Sequence, residues 1–114
     1  MKTISSWKDG DTDLDLLVRC KEAIVRVVTD ADVVLYGSRA RGDADEDSDY
    51  DILVLVARPV DMTLKKKILS SVYPLELDSG AVLTLIVYNK QKWNSPLYRA
   101  MPFRKNVEAE GVLL

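Results

Sequence analysis

Between Asp13 and Thr29 the apolar residues Leu14, Leu17, Val18, Ile24, Val25 and Val28 recur at three- and four-residue spacing, with Asp15, Arg19, Glu22 and Arg26 between them. That period predicts a helix with one buried face. Val33-Val34-Leu35-Tyr36 and Tyr50 to Val56 are instead unbroken apolar runs rich in β-branched residues, the pattern of buried strands. Between them, Ser38 to Arg41 predicts a helical turn, and Gly42-Asp43-Ala44-Asp45-Glu46-Asp47-Ser48 is too charged to pack and predicts a surface loop.

Asp61 is placed to cap a second helix running to about Tyr73, with Met62, Leu64, Ile68, Leu69 and Val72 inward, Lys65-Lys66-Lys67 solvated and Pro74 as the stop. Val82 to Tyr88 reads as a third strand inside the sheet, apolar except at Thr84. After Asn89 a helical pattern is broken at Pro96 and Pro102. Pro102 opens a helix to Glu110, Gly111 closes it, and Val112-Leu113-Leu114 is left as a short apolar tail. The order of elements predicts an α/β (α+β) domain, with helices packed on a small mixed sheet of three or more strands. A chain of 114 residues fits one such domain, residues 1–114.

Composition narrows the chemistry. Eighteen acidic against sixteen basic residues give no overall field for a phosphate backbone, so nucleic acid binding is not implied. With one cysteine, Cys20, and no histidine, disulfides and Cys/His zinc sites are excluded, and any metal must be held by oxygen. Residues 1–8 lack a signal-peptide pattern and no apolar run is long enough for a membrane span, so the expectation is a cytoplasmic protein with no membrane partner.

The segment with chemical content begins where the first strand stops. In Gly37-Ser38-Arg39-Ala40-Arg41-Gly42 a glycine directly after a strand lets the backbone approach a phosphate, and amides at a helix start can bind its oxygens. Arg39 and Arg41 add charge, as phosphate ligands or as surface partners of the acidic loop. The segment lacks the Lys and Ser/Thr of a P-loop and the Gly-x-Gly start of a dinucleotide fingerprint. In Ser48-Asp49-Tyr50-Asp51, two carboxylates at i and i+2 at the head of a strand point the same way. They repel unless a cation lies between them, and an all-oxygen donor set suits Mg²⁺.

These residues resemble the signature of the minimal nucleotidyltransferases of the DNA polymerase β superfamily, closely over residues 33 to 56. The resemblance implies that Gly37 and Ser38 hold a nucleoside triphosphate, ATP above all. It also implies that Asp49 and Asp51 bind Mg²⁺ for in-line transfer of a nucleotidyl group, with pyrophosphate leaving. Active members of that family carry a third carboxylate on a later strand, where this chain offers Thr84. A neutral hydroxyl is a poor substitute as ligand or base, and Glu76 or Asp78, in the expected approach to that strand, would have to fold back to serve.

Small proteins of this type resemble one half of two-gene modules whose other half is a helical HEPN protein, which implies a partner chain and a partner hydroxyl as acceptor. Two functions follow: an Mg²⁺-dependent transferase acting on a partner protein or small molecule, or an antitoxin-like binding module that has lost turnover with its third acid. Trp7, Trp93, Tyr98 and Phe103 read as packing residues, and Asp43, Asp45, Glu46 and Asp47 as a solvated loop.

Overall fold

A computed structural model describes residues 1–7 and 14–114. Its elements are β1 (Lys2–Thr3), α1 (Leu14–Val27), β2 (Asp32–Tyr36), α2 (Ser38–Arg41), β3 (Tyr50–Val56), α3 (Met62–Ser79), β4 (Leu83–Asn89), α4 (Lys90–Trp93), α5 (Pro96–Arg99), α6 (Pro102–Glu110) and β5 (Val112–Leu113). The strands form one mixed sheet in the order β1-β5-β2-β3-β4. β2 lies antiparallel to β3 and to β5, whereas β3–β4 and β1–β5 are parallel. This is the α+β arrangement expected, with two more strands than the sequence announced.

Alternation along the strands sorts side chains into two layers. Val33, Leu35, Ile52, Val54, Val56, Leu83 and Val87 pack with α1 and α3 in the larger cluster. Val34, Leu53 and Leu55 pack on the opposite face with Trp93 and Val107, joined by partly buried Tyr36, Ile86, Tyr88, Tyr98 and Phe103. The interior strand β3 is thus apolar at every position from Ile52 onward because it is covered on both faces.

Several expectations are corrected. The buried face of α1 is Leu16, Leu17, Cys20, Ala23 and Ile24, while Leu14 and Val18 are exposed. The three-to-four spacing holds, rotated about the axis, with small Ala23 and Cys20 admitted where the larger apolar side chains were expected. The predicted start at Asp13 lies outside the described residues.

Helix α3 begins as expected, Asp61 Oδ1 accepting from the Leu64 amide at 2.8 Å, but it runs through Pro74 to Ser79. Leu75 is buried one turn beyond Ile68 and Val72, and that burial carries the helix past a residue that cannot donate its own hydrogen bond. Met62 and Leu69 point outward.

Strand β4 lies at the sheet edge rather than inside it, with Leu85, Ile86 and Tyr88 only partly buried. The tail at 112–114 is strand β5, wedged between β1 and β2, and its neighbour β1 was likewise unread because two-residue strands carry no period. Pro102 opens its helix as expected, and Pro96, expected only as a break, likewise sits in the first turn of α5. Among the described residues, no helix is long and apolar enough to cross a membrane.

Candidate nucleotide site

β2 and β3 are zipped to the pair Tyr36↔Asp51, and the chain leaves β2 through Gly37. Gly37 has φ +76° and ψ −158°, a conformation only glycine adopts without strain. Its lack of a side chain is used a second time, because a Cβ there would lie 2.3 Å from Asp51 Oδ2. The Asp51 carboxylate therefore rests against the bare backbone of the turn. α2 follows at once, with the Ala40 and Arg41 amides both bonded to the Gly37 carbonyl and the turn ending at left-handed Gly42. Among the described residues, the amides of Ser38 and Arg39 and the Ser38 hydroxyl have no hydrogen-bond partner. Three donors are left free at the start of α2, beside Asp51.

Asp51 shares the face of Leu53 and Leu55 by strand alternation, so it opens toward the layer that contains α6. Its carboxyl is pushed above the ordinary carboxylate range, first by desolvation and then by the charge of Asp49. Glu110 adds to the shift and Arg41 opposes it. Asp49 stands exposed at the mouth of β3. The parallel register pairs Asp51 with Thr84, and the Thr84 hydroxyl donates to Asp49 Oδ2 at 3.3 Å. Thr84 thus stands beside both acids, where the sequence resemblance called for a third carboxylate. Among the described residues, no three acidic, histidine or cysteine side chains gather closely enough to hold a metal.

The other two acids weighed from sequence are engaged elsewhere. Glu76 and Asp78 lie in the last turns of α3, not in a loop. Glu76 accepts from the Leu83 amide at 3.0 Å, and Asp78 pairs with Arg19 at 3.3 Å. The arginines divide. Arg39 donates to the carbonyls of Ser48 and Glu46 and lies over the Tyr50 ring, 4.5 Å from its centroid, so it binds the acidic loop down onto the head of β3. Arg41 reaches Asp43 at 3.1 Å and Glu110 at 3.0 Å.

Glu110 is the residue the sequence reading missed. It ends α6, and its second oxygen accepts from the Gly37 amide at 3.2 Å. The signal available was an acid in the last turn of a helix, where the macrodipole disfavours negative charge unless something else holds it. Asp43, Asp45, Glu46 and Asp47 are exposed as expected, Asp45 folding back to accept from Ser48 and from the Asp47 amide. The aromatic residues pack. Trp7 is buried with its indole donating to the Ala40 carbonyl at 3.1 Å, and Trp93 stacks on Tyr88.

With this geometry in hand, similarity to known proteins has a physical counterpart. Residues 17–112 match the family described as the nucleotidyltransferase domain. Over 58 residues the chain is 40% identical to "Putative protein adenylyltransferase MJ0141" of Methanocaldococcus jannaschii, a stretch covering 51% of this chain and 59% of that relative. The matched span runs from α1 to β5 and takes in the Gly-Ser turn and the carboxylate pair of β3, so the chain belongs to the minimal nucleotidyltransferase family.

Proposed function

We propose that this protein transfers a nucleotidyl group, AMP from ATP, to a hydroxyl of a partner protein or a small molecule, with Mg²⁺ held by Asp49 and Asp51. The observation that carries the reading is the contact between Gly37 and Asp51, which sets the acidic pair of β3 against a turn with three free donors. Two adjacent carboxylates, one already resisting ionisation, fit a divalent cation that would relieve their repulsion. A bound metal would polarise the α-phosphoryl group and neutralise charge on the departing oxygen.

The chain's own residues supply the rest. The Ser38 hydroxyl and the Ser38 and Arg39 amides donate to the terminal phosphates, as helix-start amides bind anions elsewhere. Arg41 adds positive charge at their side. The acceptor hydroxyl gives up its proton to solvent as its oxygen bonds to the α-phosphorus, the bond from that phosphorus to the α,β-bridging oxygen breaks, and pyrophosphate leaves in line. That the matched relative bears the name of a protein adenylyltransferase supports a protein acceptor. A helical partner of the HEPN type, cytoplasmic like this chain, fits the same reading.

Thr84 favours a second reading, a nucleotide- or partner-binding module without turnover, since its neutral hydroxyl stands at the register position of Asp51. Incubation with Mg²⁺ and α-labelled ATP, with and without a candidate helical partner, separates the two. Label on the partner that disappears in Asp51→Ala is the expected result. A stable complex that never acquires label, even at high nucleotide concentration, would leave the binding module standing. Full transfer by both Asp49→Ala and Asp51→Ala would sink the site assignment altogether.

A further inference from the structure

Glu110 sits where its own helix cannot reward it. A carboxylate in the last turn of α6 meets the negative end of the helix dipole. Its side chain nevertheless stays about four-fifths covered, at 21% relative exposure, because two donors from another element hold it. One oxygen accepts from the Gly37 amide at 3.2 Å and the other from Arg41 Nη1 at 3.0 Å.

The approach of this carboxylate is fixed from behind. The Gly111 amide bonds to the Val107 carbonyl at 2.7 Å, and a Cβ on Gly111 would lie 2.5 Å from that carbonyl oxygen and 3.1 Å from Val34 Cγ1. The next two residues are zipped onto Leu35 and Val34 of β2. The turn from α6 into β5 is therefore pressed against the strand that ends in Gly37, and Glu110 is delivered to the exit of that strand with little freedom to swing.

We propose that Glu110 is a positioning residue of the nucleotide site, its carboxylate clamping the Gly37 turn and the Arg41 guanidinium into the arrangement that receives the triphosphate. This role rests on the nucleotide-binding reading above. Glu110 touches neither of the free donors at Ser38 and Arg39, so it acts through its two partners. Asp43 also holds Arg41, but in a pair whose carboxylate is largely exposed. The better covered Glu110 contact is the one that fixes where the guanidinium stands.

The test is calorimetric binding of a nonhydrolysable ATP analogue with Mg²⁺ to the wild type, Glu110→Gln, Glu110→Ala, Arg41→Ala and the Arg41→Ala/Glu110→Ala double variant. Circular dichroism of each reports folding. Losing a charge-assisted clamp is expected to weaken binding roughly tenfold in Glu110→Ala. Glu110→Gln, which keeps an acceptor for the Gly37 amide but not the ion pair, should fall between, and it carries the test if the alanine variant fails to fold.

The double variant should lose less than the product of the single losses, since Arg41 transmits part of the effect. A merely structural residue would lower the melting temperature without this coupling. Strict additivity, or unchanged binding in folded Glu110→Ala, overturns the role while leaving the nucleotide reading intact. Tighter binding also overturns it, and would make the carboxylate a competitor of phosphate for the same donors. No binding by the wild type overturns the nucleotide reading and this role with it.

Discussion

Replacing Gly37 by alanine tests the central contact of the site most directly. The backbone there has φ +76° and ψ −158°, and placing a side-chain-bearing residue in such a region costs about 1 to 3 kcal/mol. The new methyl would also lie 2.3 Å from Asp51 Oδ2, 3.3 Å from its Cγ and 3.4 Å from its Cβ. Only the carboxylate oxygen is in severe overlap, so the Asp51 side chain turns away at a further cost of about 0.5 to 1.5 kcal/mol.

The sum, about 1.5 to 4.5 kcal/mol, corresponds to a melting temperature lower by roughly 5 to 20 °C in a chain of this size. It should be accompanied by loss of metal-dependent nucleotide binding, because the carboxylate has left its place. Thermal denaturation followed by circular dichroism measures the first effect. Repeating Gly37→Ala in an Asp51→Ala background separates the two terms. The steric part should vanish there and the backbone part remain. Equal costs in both backgrounds would refute the contact between Gly37 and Asp51, and a Gly37→Ala protein that melts like the wild type would refute the strain as well.

Three further outcomes are expected. Asp51 has a folded-state pKa above the ordinary value of 3.8, so its ionisation opposes folding as pH rises through that window. Asp51→Asn should therefore melt higher than wild type at pH 7 without metal and about equally below pH 3.8. Mg²⁺ should stabilise only the wild type, and a lower melting temperature for Asp51→Asn at pH 7 would contradict the desolvation argument.

Burial pushes the Cys20 thiol from 9.0 up to about 12, so the native protein should resist alkylation at pH 8 and react promptly once unfolded. Because the folded pKa is the higher one, the stability this thiol contributes is complete below pH 9 and lost between pH 9 and 12, a loss that Cys20→Ala should lack. Alkylation of the native chain at the unfolded rate would count against it. Pro74 sits inside α3 without a donor for the ladder, so Pro74→Ala should raise stability by about 2 kcal/mol, read from denaturant unfolding. No gain there would mean that the helix relies on the proline.

The periodic segments declared themselves in the sequence because burial on one or two faces leaves a repeating mark, as in β3 and in α3 up to Val72. Pro74 was misread because local propensity argued for a stop, whereas burial of Leu75 one turn later favoured continuing. β1 and β5 are too short to show a period and exist by virtue of their neighbours. At the site, the Gly-Ser turn and the Asp49/Asp51 pair were legible since turn and strand are local and close in sequence. Glu110 was not, because its meaning depends on two partners about seventy residues away. Arg39 and Arg41 look equivalent in the sequence, and only the path of the acidic loop distinguishes them.

The placement of β5 between β1 and β2 has a consequence for how the protein is made. The Gly37 amide waits for a carboxylate 73 residues further on. At typical elongation speeds of 5 to 20 residues per second, Glu110 leaves the catalytic centre of the ribosome roughly 4 to 15 s after Gly37. Until then β2 has an open flank, and the turn beside Asp51 lacks one of its supports. A chain emerging from the ribosome thus completes this corner last, after the contact of β2 with β3 can already form, and a truncated or still-growing molecule would carry the sequence signature without the finished site.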